Sequence, residues 1–166
     1  MRPLTLTEQF DRGMRVIHKG REVAQVMRVP VMHPCKGHIE FISKRRRRPT
    51  PGISMDAKNA VFVFNENEKM PGVSVFFDRR PAYVPFKVLS PKNAAMLHVW
   101  NIWEGDYGSQ DAWLVNSGMI VEEQEPGPDG QRRWLVRCSS GPNDEPNFDD
   151  LVFRMELAPL KPSADP

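Results

Sequence analysis

The chain has 166 residues, of which 23 are lysine or arginine, 21 are aspartate or glutamate, and 40% are hydrophobic. These values fit one globular domain and exclude fibrous and low-complexity chains. At this length a chain buries roughly two thirds of the surface that it exposes when unfolded, so its core needs neither a metal nor a disulfide. The two cysteines, Cys35 and Cys138, are too few for a disulfide framework.

The sequence shows no signal for export or membrane insertion. The N-terminus reads Met-Arg-Pro-Leu-Thr-Leu-Thr and lacks the apolar stretch of a secretory signal. Apolar runs along the chain are far shorter than the ~20 residues that a membrane-spanning helix needs. We therefore expect a protein of the cytoplasm, or part of an assembly formed there, that makes no contact with membranes.

The first predicted element is a short helix at about residues 5–12. Thr5 and Glu8 have the spacing of a capping box, and Gly13 supplies a stop. Beyond it, short β-branched and apolar runs separated by Gly, Pro and Asn predict strands. The predicted strands of the first half are Met14–His18 and Glu22–Val29, joined by Lys19-Gly20, then His38–Ser43, Ala60–Phe64 and Val73–Phe77.

The second half predicts a meander of four strands with turn-rich loops. They are Met96–Trp103, Asp111–Glu122 with a bend at Gly118, Arg132–Cys138 and Leu151–Leu157. Alternation in the last strand places Phe153 in the core and Arg154 outside. We predict an all-β fold, a β-sandwich or flattened barrel of about eight or nine mostly antiparallel strands with one short N-terminal helix. Residues 1–158 would form one domain, and residues 159–166 a loosely held tail.

Charge is divided strongly along the chain, although the net charge is only +2. Residues 1–60 carry 13 basic and 5 acidic side chains, residues 61–100 carry 5 and 3, and residues 101–166 carry 5 and 13. This division can be balanced within one fold if the basic segment lies beside the acidic one, or between molecules if unlike faces meet. A third possibility is that the basic end contacts nucleic acid.

Five consecutive cations form the sharpest charge feature. They are Lys44, Arg45, Arg46, Arg47 and Arg48. Five adjacent cations cannot be buried, so the run is a solvated loop or lies against an anionic surface. Contacts to phosphate would add affinity for nucleic acid through counterion release. Arg79, Arg80 and the pair Arg132-Arg133 could extend the patch, and Tyr83 could stack on bases. The alternative surface is the acidic half of a neighbouring protein.

A second candidate site is the acidic segment at residues 142–150, which leads into the last predicted strand. Its carboxylate and amide oxygens are the ligands that Ca²⁺ prefers. The string from Asn147 to Phe153 resembles an acidic, aromatic segment of some extracellular calcium-associated β-sandwich modules, which implies a calcium site; Pro146 departs from that pattern. The simpler interpretation, which we favour, is that Asp149 or Asp150 caps a turn and binds no metal.

A third candidate site is the segment His33-Pro34-Cys35-Lys36-Gly37-His38. Its His-x-Cys-x-x-His spacing matches none of the familiar structural zinc patterns, and Cys138 or His98 would have to supply a fourth ligand. Cys35 could instead be a nucleophile with a neighbouring histidine as base, although no orienting acid or oxyanion loop can be identified. The alternative is an ordinary strand with a free thiol.

All four tryptophans fall in the predicted meander: Trp100, Trp103, Trp113 and Trp134. Alternation places Trp100 and Trp103 on opposite faces of one strand, so the indoles need not share one core. We expect at least two of the four in the core. An exposed indole would anchor a partner, and we assign that role to Trp103, with Tyr107 in the adjoining polar loop.

The motifs that mark common enzymes are missing, since the chain has no Gly-rich phosphate loop, His-Glu-x-x-His or Gly-x-Ser-x-Gly. We therefore predict a non-catalytic β-sandwich that acts by surface contact, as a structural or adaptor component of a protein assembly or through self-association. It would need no cofactor or metal. The predicted partner-binding residues are Lys44, Arg45, Arg46, Arg47, Arg48, Arg79, Arg80, Trp103 and Tyr107. Two alternatives stay open: a nucleic-acid-binding module that uses residues 44–48, and an enzyme or zinc site around Cys35.

Overall fold

Two antiparallel sheets make up most of the molecule in the computed structural model. The structure describes residues 2–45, 48–64, 68–78, 83–89, 94–105, 109–141 and 145–160. Within these ranges there are a seven-stranded sheet, a five-stranded sheet and a two-stranded hairpin. The two larger sheets are open at their edges and share one core, so the described part of the chain is a sandwich and not a closed barrel. The prediction of an all-β sandwich with one short helix is confirmed.

The helix α1 spans Leu6–Asp11. The strands are β1 Ile17–His18, β2 Arg21–Glu22, β3 Met27–Val31, β4 Cys35–Lys44, β5 Pro51–Lys58, β6 Val61–Phe64, β7 Glu68–Met70, β8 Gly72–Phe76, β9 Tyr83–Leu89, β10 Ala95–Glu104, β11 Gln110–Asp111, β12 Gly118–Gln124, β13 Arg132–Ser139 and β14 Leu151–Pro159. A 3₁₀ turn spans Pro128–Gly130.

The helix α1 forms as its capping box predicts. Thr5 Oγ1 accepts a hydrogen bond from the backbone N of Glu8 at 3.2 Å, and Glu8 Oε1 accepts one from the backbone N of Thr5 at 3.1 Å. Two amide donors at the start of the helix are thereby satisfied. Gly13 follows with a φ of 69°, the left-handed region that favours glycine after a helix. In the described part of the chain, no helix is long and apolar enough to span a bilayer.

The seven-stranded sheet has the order β12-β13-β14-β4-β9-β6-β7. In the other sheet, β10 pairs with β5 along one side and with β3 and β11 along the other, and β5 pairs with β8. The strands β12, β13 and β14 form a meander in chain order. The predicted meander also contained β10, which lies in the opposite sheet, so that part of the prediction is wrong.

The core lies between the two sheets. Ile39 of β4 and Phe153 of β14 face it from one side, Ile53 of β5 and Leu97 of β10 face it from the other, and all four are 0% exposed. A smaller cluster joins α1 and the β1–β2 hairpin to the end of the larger sheet; it contains Leu6, Val16, Val23, Ile120 and Phe148. The predicted inward face of the last strand is buried, as expected for period-two alternation: Leu151, Phe153, Met155 and Leu157.

The divided charge of the chain is balanced in part within this fold. Strand β4, from the basic first third, pairs along its length with β14, from the acidic last third. Arg21 of the hairpin, from the basic third, lies 3.5 Å from Glu122 of β12, from the acidic third. The first of the three possibilities for the charge division therefore has structural support.

The predicted hairpin is shorter than expected. Lys19 and Gly20 form its turn with φ values of 48° and 80°, as a two-residue hairpin turn requires. The predicted strand Glu22–Val29 is divided: its first residue belongs to β2, whereas Met27 starts β3, which pairs with β10 in the five-stranded sheet. The predicted strand therefore contributes residues to two different sheets.

Several strands were not predicted because their sequences carry strand-breaking residues. Pro51 and Gly52 begin β5, and Pro85 lies within β9, opposite His38 of β4. Strand β7 lies between the predicted strands Ala60–Phe64 and Val73–Phe77. Pro159, assigned to the tail, ends β14, and the backbone N of Leu160 donates to Pro34 O at 2.9 Å. The remainder of the predicted tail, residues 161–166, lies outside the described residues.

Candidate functional sites

The basic run begins at the end of β4, where its first two cations are tied to the fold. Lys44 Nζ donates to the carbonyl oxygen of Phe77 at 2.7 Å and lies 5.0 Å from the centre of the Phe77 ring. The backbone N of Arg45 donates to Asp150 O at 3.4 Å. Lys44 thus connects the two sheets, while Arg48 is exposed. The other predicted contact residues in charged or polar loops lie outside the described residues: Arg46, Arg47, Arg79, Arg80 and Tyr107.

Arg45 lines a cavity of about 640 Å³ in which cations and carboxylates lie together. The charged residues that line it are Lys19, Arg21, Arg45, Arg137, Glu145 and Asp149. A phosphate entering this cavity would meet charges of both signs, which weakens a purely electrostatic contact. This arrangement gives the nucleic-acid alternative at residues 44–48 no added support, and it stays a prediction.

Cys35 and His38 lie on opposite faces of β4. Cys35 is 5% exposed and faces the core, and this burial raises the pKa of its thiol to about 11. His38 lies on the outer face, with its Nε2 3.2 Å from Glu156 Oε2. His33 lines a cavity of about 210 Å³ with Cys35 but without His38. The structure therefore does not bring the three residues into one site, and a protonated thiol is a poor nucleophile.

The other two residues considered as zinc ligands are also placed elsewhere. His98 Nδ1 lies 2.8 Å from Asp56 Oδ1 in the five-stranded sheet. Cys138 is 0% exposed in the core. Across the described ranges, no three His, Cys, Asp or Glu side chains are grouped so that they could hold a metal ion.

We expect both thiols to react slowly with iodoacetamide in the folded protein. Burial raises the pKa of Cys35 to about 11 and shifts that of Cys138 in the same direction, and only the thiolate reacts. The labelling rate of Cys35 should therefore keep rising up to about pH 11, whereas that of a free cysteine levels off above its pKa of about 8.5. Mass spectrometry of alkylated peptides measures the rate, with unfolded protein as the control. Rapid labelling of Cys35 at neutral pH in the folded state would contradict this assignment.

The acidic loop before β14 is organised by Asn147. Its Oδ1 accepts hydrogen bonds from the backbone N of Asp149 at 2.8 Å and of Asp150 at 3.2 Å. The residue that caps this turn is thus Asn147 and not an aspartate, which corrects the prediction. Asp150 is 8% exposed, and its carboxylate accepts from the backbone N of Ser140 at 2.7 Å and from Asn147 Nδ2 at 3.1 Å. Asp150 therefore holds the loop to the end of β13.

Two of the four tryptophans lie in the core, as expected. Trp103 is 2% exposed and Trp134 is 4% exposed. Trp103 packs so closely on Gly141 that a Cβ at this glycine would come within 2.6 Å of the indole. The assignment of Trp103 to a partner-binding surface is not compatible with this burial, because its indole offers no surface to a partner.

The exposed tryptophan is Trp113, in a loop that the sequence pattern placed in a strand. Trp113, Leu114 and Val115 are consecutive and are 40%, 50% and 47% exposed; we call them the apolar loop. The Trp113 ring lies 5.3 Å from the ring of Trp100 on β10. Trp113 and Val115 have φ values of 56° and 45°, a region that bulky and β-branched residues rarely adopt.

The apolar loop is held in this strained conformation by hydrogen bonds from α1 and from its own turn. Val115 O accepts from the backbone N of Thr7 at 2.8 Å, and Leu114 O accepts from the backbone N of Ser117 at 2.9 Å. Asn116 Oδ1 accepts from the backbone N of Leu6 at 3.2 Å. Strain that is kept while apolar side chains stay exposed is typical of a functional surface. In the sequence, the polar run Asn116-Ser117-Gly118 directly after these apolar residues is the feature that indicates a turn here.

A groove of about 490 Å³ crosses the outer face of the seven-stranded sheet. Glu156 lines this groove: its carboxylate accepts from Gln131 Nε2 at 2.7 Å, and Arg133 Nε lies 3.6 Å from Oε1. His38 contacts the same carboxylate and packs on Tyr83, with ring centres 4.5 Å apart. The sequence indicated Tyr83 as a stacking residue. It did not indicate the residues around Tyr83 in this groove, because they come from distant segments of the chain.

Comparison with known proteins gives no family for this chain. No protein-family model matches it, and no curated protein matches it. Its function is therefore inferred from its own surface, on which the apolar loop and the outer groove are the most distinctive described features.

Proposed function

We propose that this protein is a non-catalytic β-sandwich that acts by surface contact, as a structural or adaptor component of a protein assembly. The main support is the apolar loop, in which three consecutive large apolar side chains are exposed on a strained backbone. Exposed apolar patches on soluble proteins mark contact surfaces. Tryptophan is also enriched among the residues that dominate the energy of protein interfaces.

The apolar loop continues into the outer face of the five-stranded sheet. Trp113 packs on Trp100 of β10, which lies opposite Ser54 of β5. Ser54 lies opposite Ser74 of β8, with the two hydroxyl oxygens 3.0 Å apart. No residue of this row carries a charge; Ser54 in its middle is buried, and Ser74 at its end is exposed, so one partner could contact the loop at one end and β8 at the other.

The edge strand β8 favours a second copy of this chain as that partner. It reads Gly-Val-Ser-Val-Phe, has no charge or proline, and pairs with β5 alone among the described strands. Other edges are protected: β7 carries Glu68 and Lys69, and β3 carries Arg28 and Pro30. An unprotected edge offers backbone donors and acceptors to another strand. Two copies of β8 can pair antiparallel about a twofold axis.

Sedimentation velocity tests the self-association. Wild type should sediment as a species heavier than one 19.0 kDa chain. Leu114→Ser removes an apolar contact and Ser74→Lys places a charge on the edge, so each should shift the protein towards the monomer. The matched controls are Met32→Ser, at a side chain 61% exposed elsewhere, and Ser43→Lys on the other sheet. A monomeric wild type at high protein concentration, or equal effects of variants and controls, would refute self-association.

Salt distinguishes this contact from one made by the basic run. Contacts between exposed charges are screened within about 8 Å at physiological ionic strength, so an assembly held by residues 44–48 should dissociate as salt is raised. Apolar contacts of the kind proposed here should persist. Arg45→Glu should accordingly leave the mass of the assembly unchanged, and dissociation by salt or by this variant would favour the basic run instead.

A further inference from the structure

The groove on the outer face of the seven-stranded sheet contains a row of residues whose charge the fold leaves unbalanced. Lys36 of β4 lies directly opposite Lys87 of β9. The neighbours in this row are apolar: Ala158 of β14 beside Lys36, and Val63 of β6 beside Lys87. All four residues line the groove. Neither lysine has an ion pair in the described part of the chain. Like charges directly opposite each other destabilise a sheet, so this pair has a cost that the fold does not offset.

In the adjoining rows on the same face, each carboxylate lies beside a basic side chain. Two residues along the strands from the lysine row, Glu156 lies 3.2 Å from His38. Two positions further, Arg154 lies 3.7 Å from Glu40. The lysine row is therefore the exception on this face, and it points to an anion supplied from outside the chain.

An aromatic platform lies in the same groove as the two lysines. Tyr83 is 46% exposed, and its ring packs on His38 at an interplanar angle of 31°. The His38 ring is oriented by Glu156, which Gln131 holds in turn at 2.7 Å. His38 is two residues from Lys36 on the same face of β4, a separation of about 7 Å that a ribose can span.

We infer that this groove binds a nucleotide, with the phosphate between Lys36 and Lys87 and the base stacked on the Tyr83–His38 platform. Two adjacent cations suit the two negative charges of a phosphate monoester, and stacking on an aromatic ring is available to any base. The volume of about 490 Å³ falls in the range of small-ligand sites. The ligand is either a free nucleotide or one unit of a single strand. The site is on the opposite sheet from the proposed assembly face and does not depend on it.

Calorimetric titration with adenosine 5′-monophosphate, adenosine and inorganic phosphate tests both halves of the site. The monophosphate should bind more tightly than either part alone. Lys36→Gln/Lys87→Gln should weaken its binding about tenfold or more and leave adenosine binding unchanged. Tyr83→Leu should weaken the monophosphate and adenosine about fivefold or more and leave phosphate binding unchanged. Lys19→Gln/Lys58→Gln removes the same charge at exposed positions elsewhere and should have no effect.

A hexamer of deoxyadenosine separates the two sources of the nucleotide. If the hexamer binds much more tightly than the monophosphate, with an affinity that falls as salt rises, the ligand is a strand. If the two bind equally, the ligand is a free nucleotide. If none of these probes binds folded wild type, the inference is wrong. It is also wrong if the control variant loses as much affinity for the monophosphate as the lysine variant does. Thermal melting of each variant shows that it is folded, and sedimentation of the lysine variant should match wild type.

Discussion

Replacement of Phe153 by alanine is expected to lower the free energy of unfolding by about 3–5 kcal/mol, the range for emptying a large buried aromatic site. Phe153 is 0% exposed in the middle of β14. It lies opposite Val136 of β13 and Phe41 of β4, so a paired strand flanks it on each side, with a shift of register between Val152 and Phe153 on the β4 side. Strands held by a hydrogen-bonded ladder cannot move in to fill the space, and a cavity remains. Equilibrium urea denaturation measures the change.

Ile42→Ala on the neighbouring strand is the matched control for Phe153→Ala. Ile42 is 43% exposed, so its truncation should change the free energy of unfolding by about 0.5 kcal/mol or less. The slope of the denaturation curve should be the same for both variants and wild type, since the surface exposed on unfolding is nearly unchanged. A loss of less than about 1 kcal/mol for Phe153→Ala would show that this side chain is not packed in the core.

Asp150→Ala is expected to lower the free energy of unfolding by about 2–4 kcal/mol. The buried carboxylate accepts from the backbone N of Ser140 and from Asn147 Nδ2, and hydrogen bonds to a charged group contribute about 1.5–3 kcal/mol each. Alanine removes both acceptors and leaves the Ser140 amide buried without this partner. Asp150→Asn keeps one acceptor oxygen and should have an intermediate cost. Equilibrium urea denaturation measures the free energy of unfolding of wild type, Asp150→Ala and Asp150→Asn.

Asp149→Asn is the control, because Asp149 is exposed one residue away and its change should cost about 0.5 kcal/mol or less. Equal losses at both positions would mean that Asp150 does not hold the loop. Calcium adds a second readout: a ligand that binds only the folded state raises the melting temperature. We expect no such rise in wild type. A calcium-dependent rise that disappears in Asp149→Asn/Asp150→Asn would restore the calcium interpretation of this loop.

Helix α1 and the inward face of β14 could be predicted because their signals are local. The Thr5–Glu8 capping box involves groups within one turn, and it forms as the spacing indicates. In β14, alternation places Phe153 inside and Arg154 on the outer face, since side chains of a strand point to opposite sides in turn. Neither result depends on which strands lie beside these elements.

The division of strands between sheets could not be predicted in the same way. Strands β10 and β12 are separated along the chain only by the two-residue strand β11, yet they lie in different sheets. Apolar alternation tells which residues of a strand face a core, but it does not tell which strand is its neighbour. Neighbours are set by packing between distant segments and by the loops that connect them.

The candidate surfaces show the same distinction. Local sequence patterns were enough to predict an all-β chain with one short helix and a charge divided along its length. The burial of Trp103 and the exposure of Trp113 follow from the packing of the fold, since both are tryptophans of neighbouring segments. Only the register of β4 against β9 decided that Lys36 faces Lys87. The physical reason is that exposure depends on which face the opposite sheet covers, and charge balance depends on which residues pair across strands; both are contacts between residues far apart in the chain.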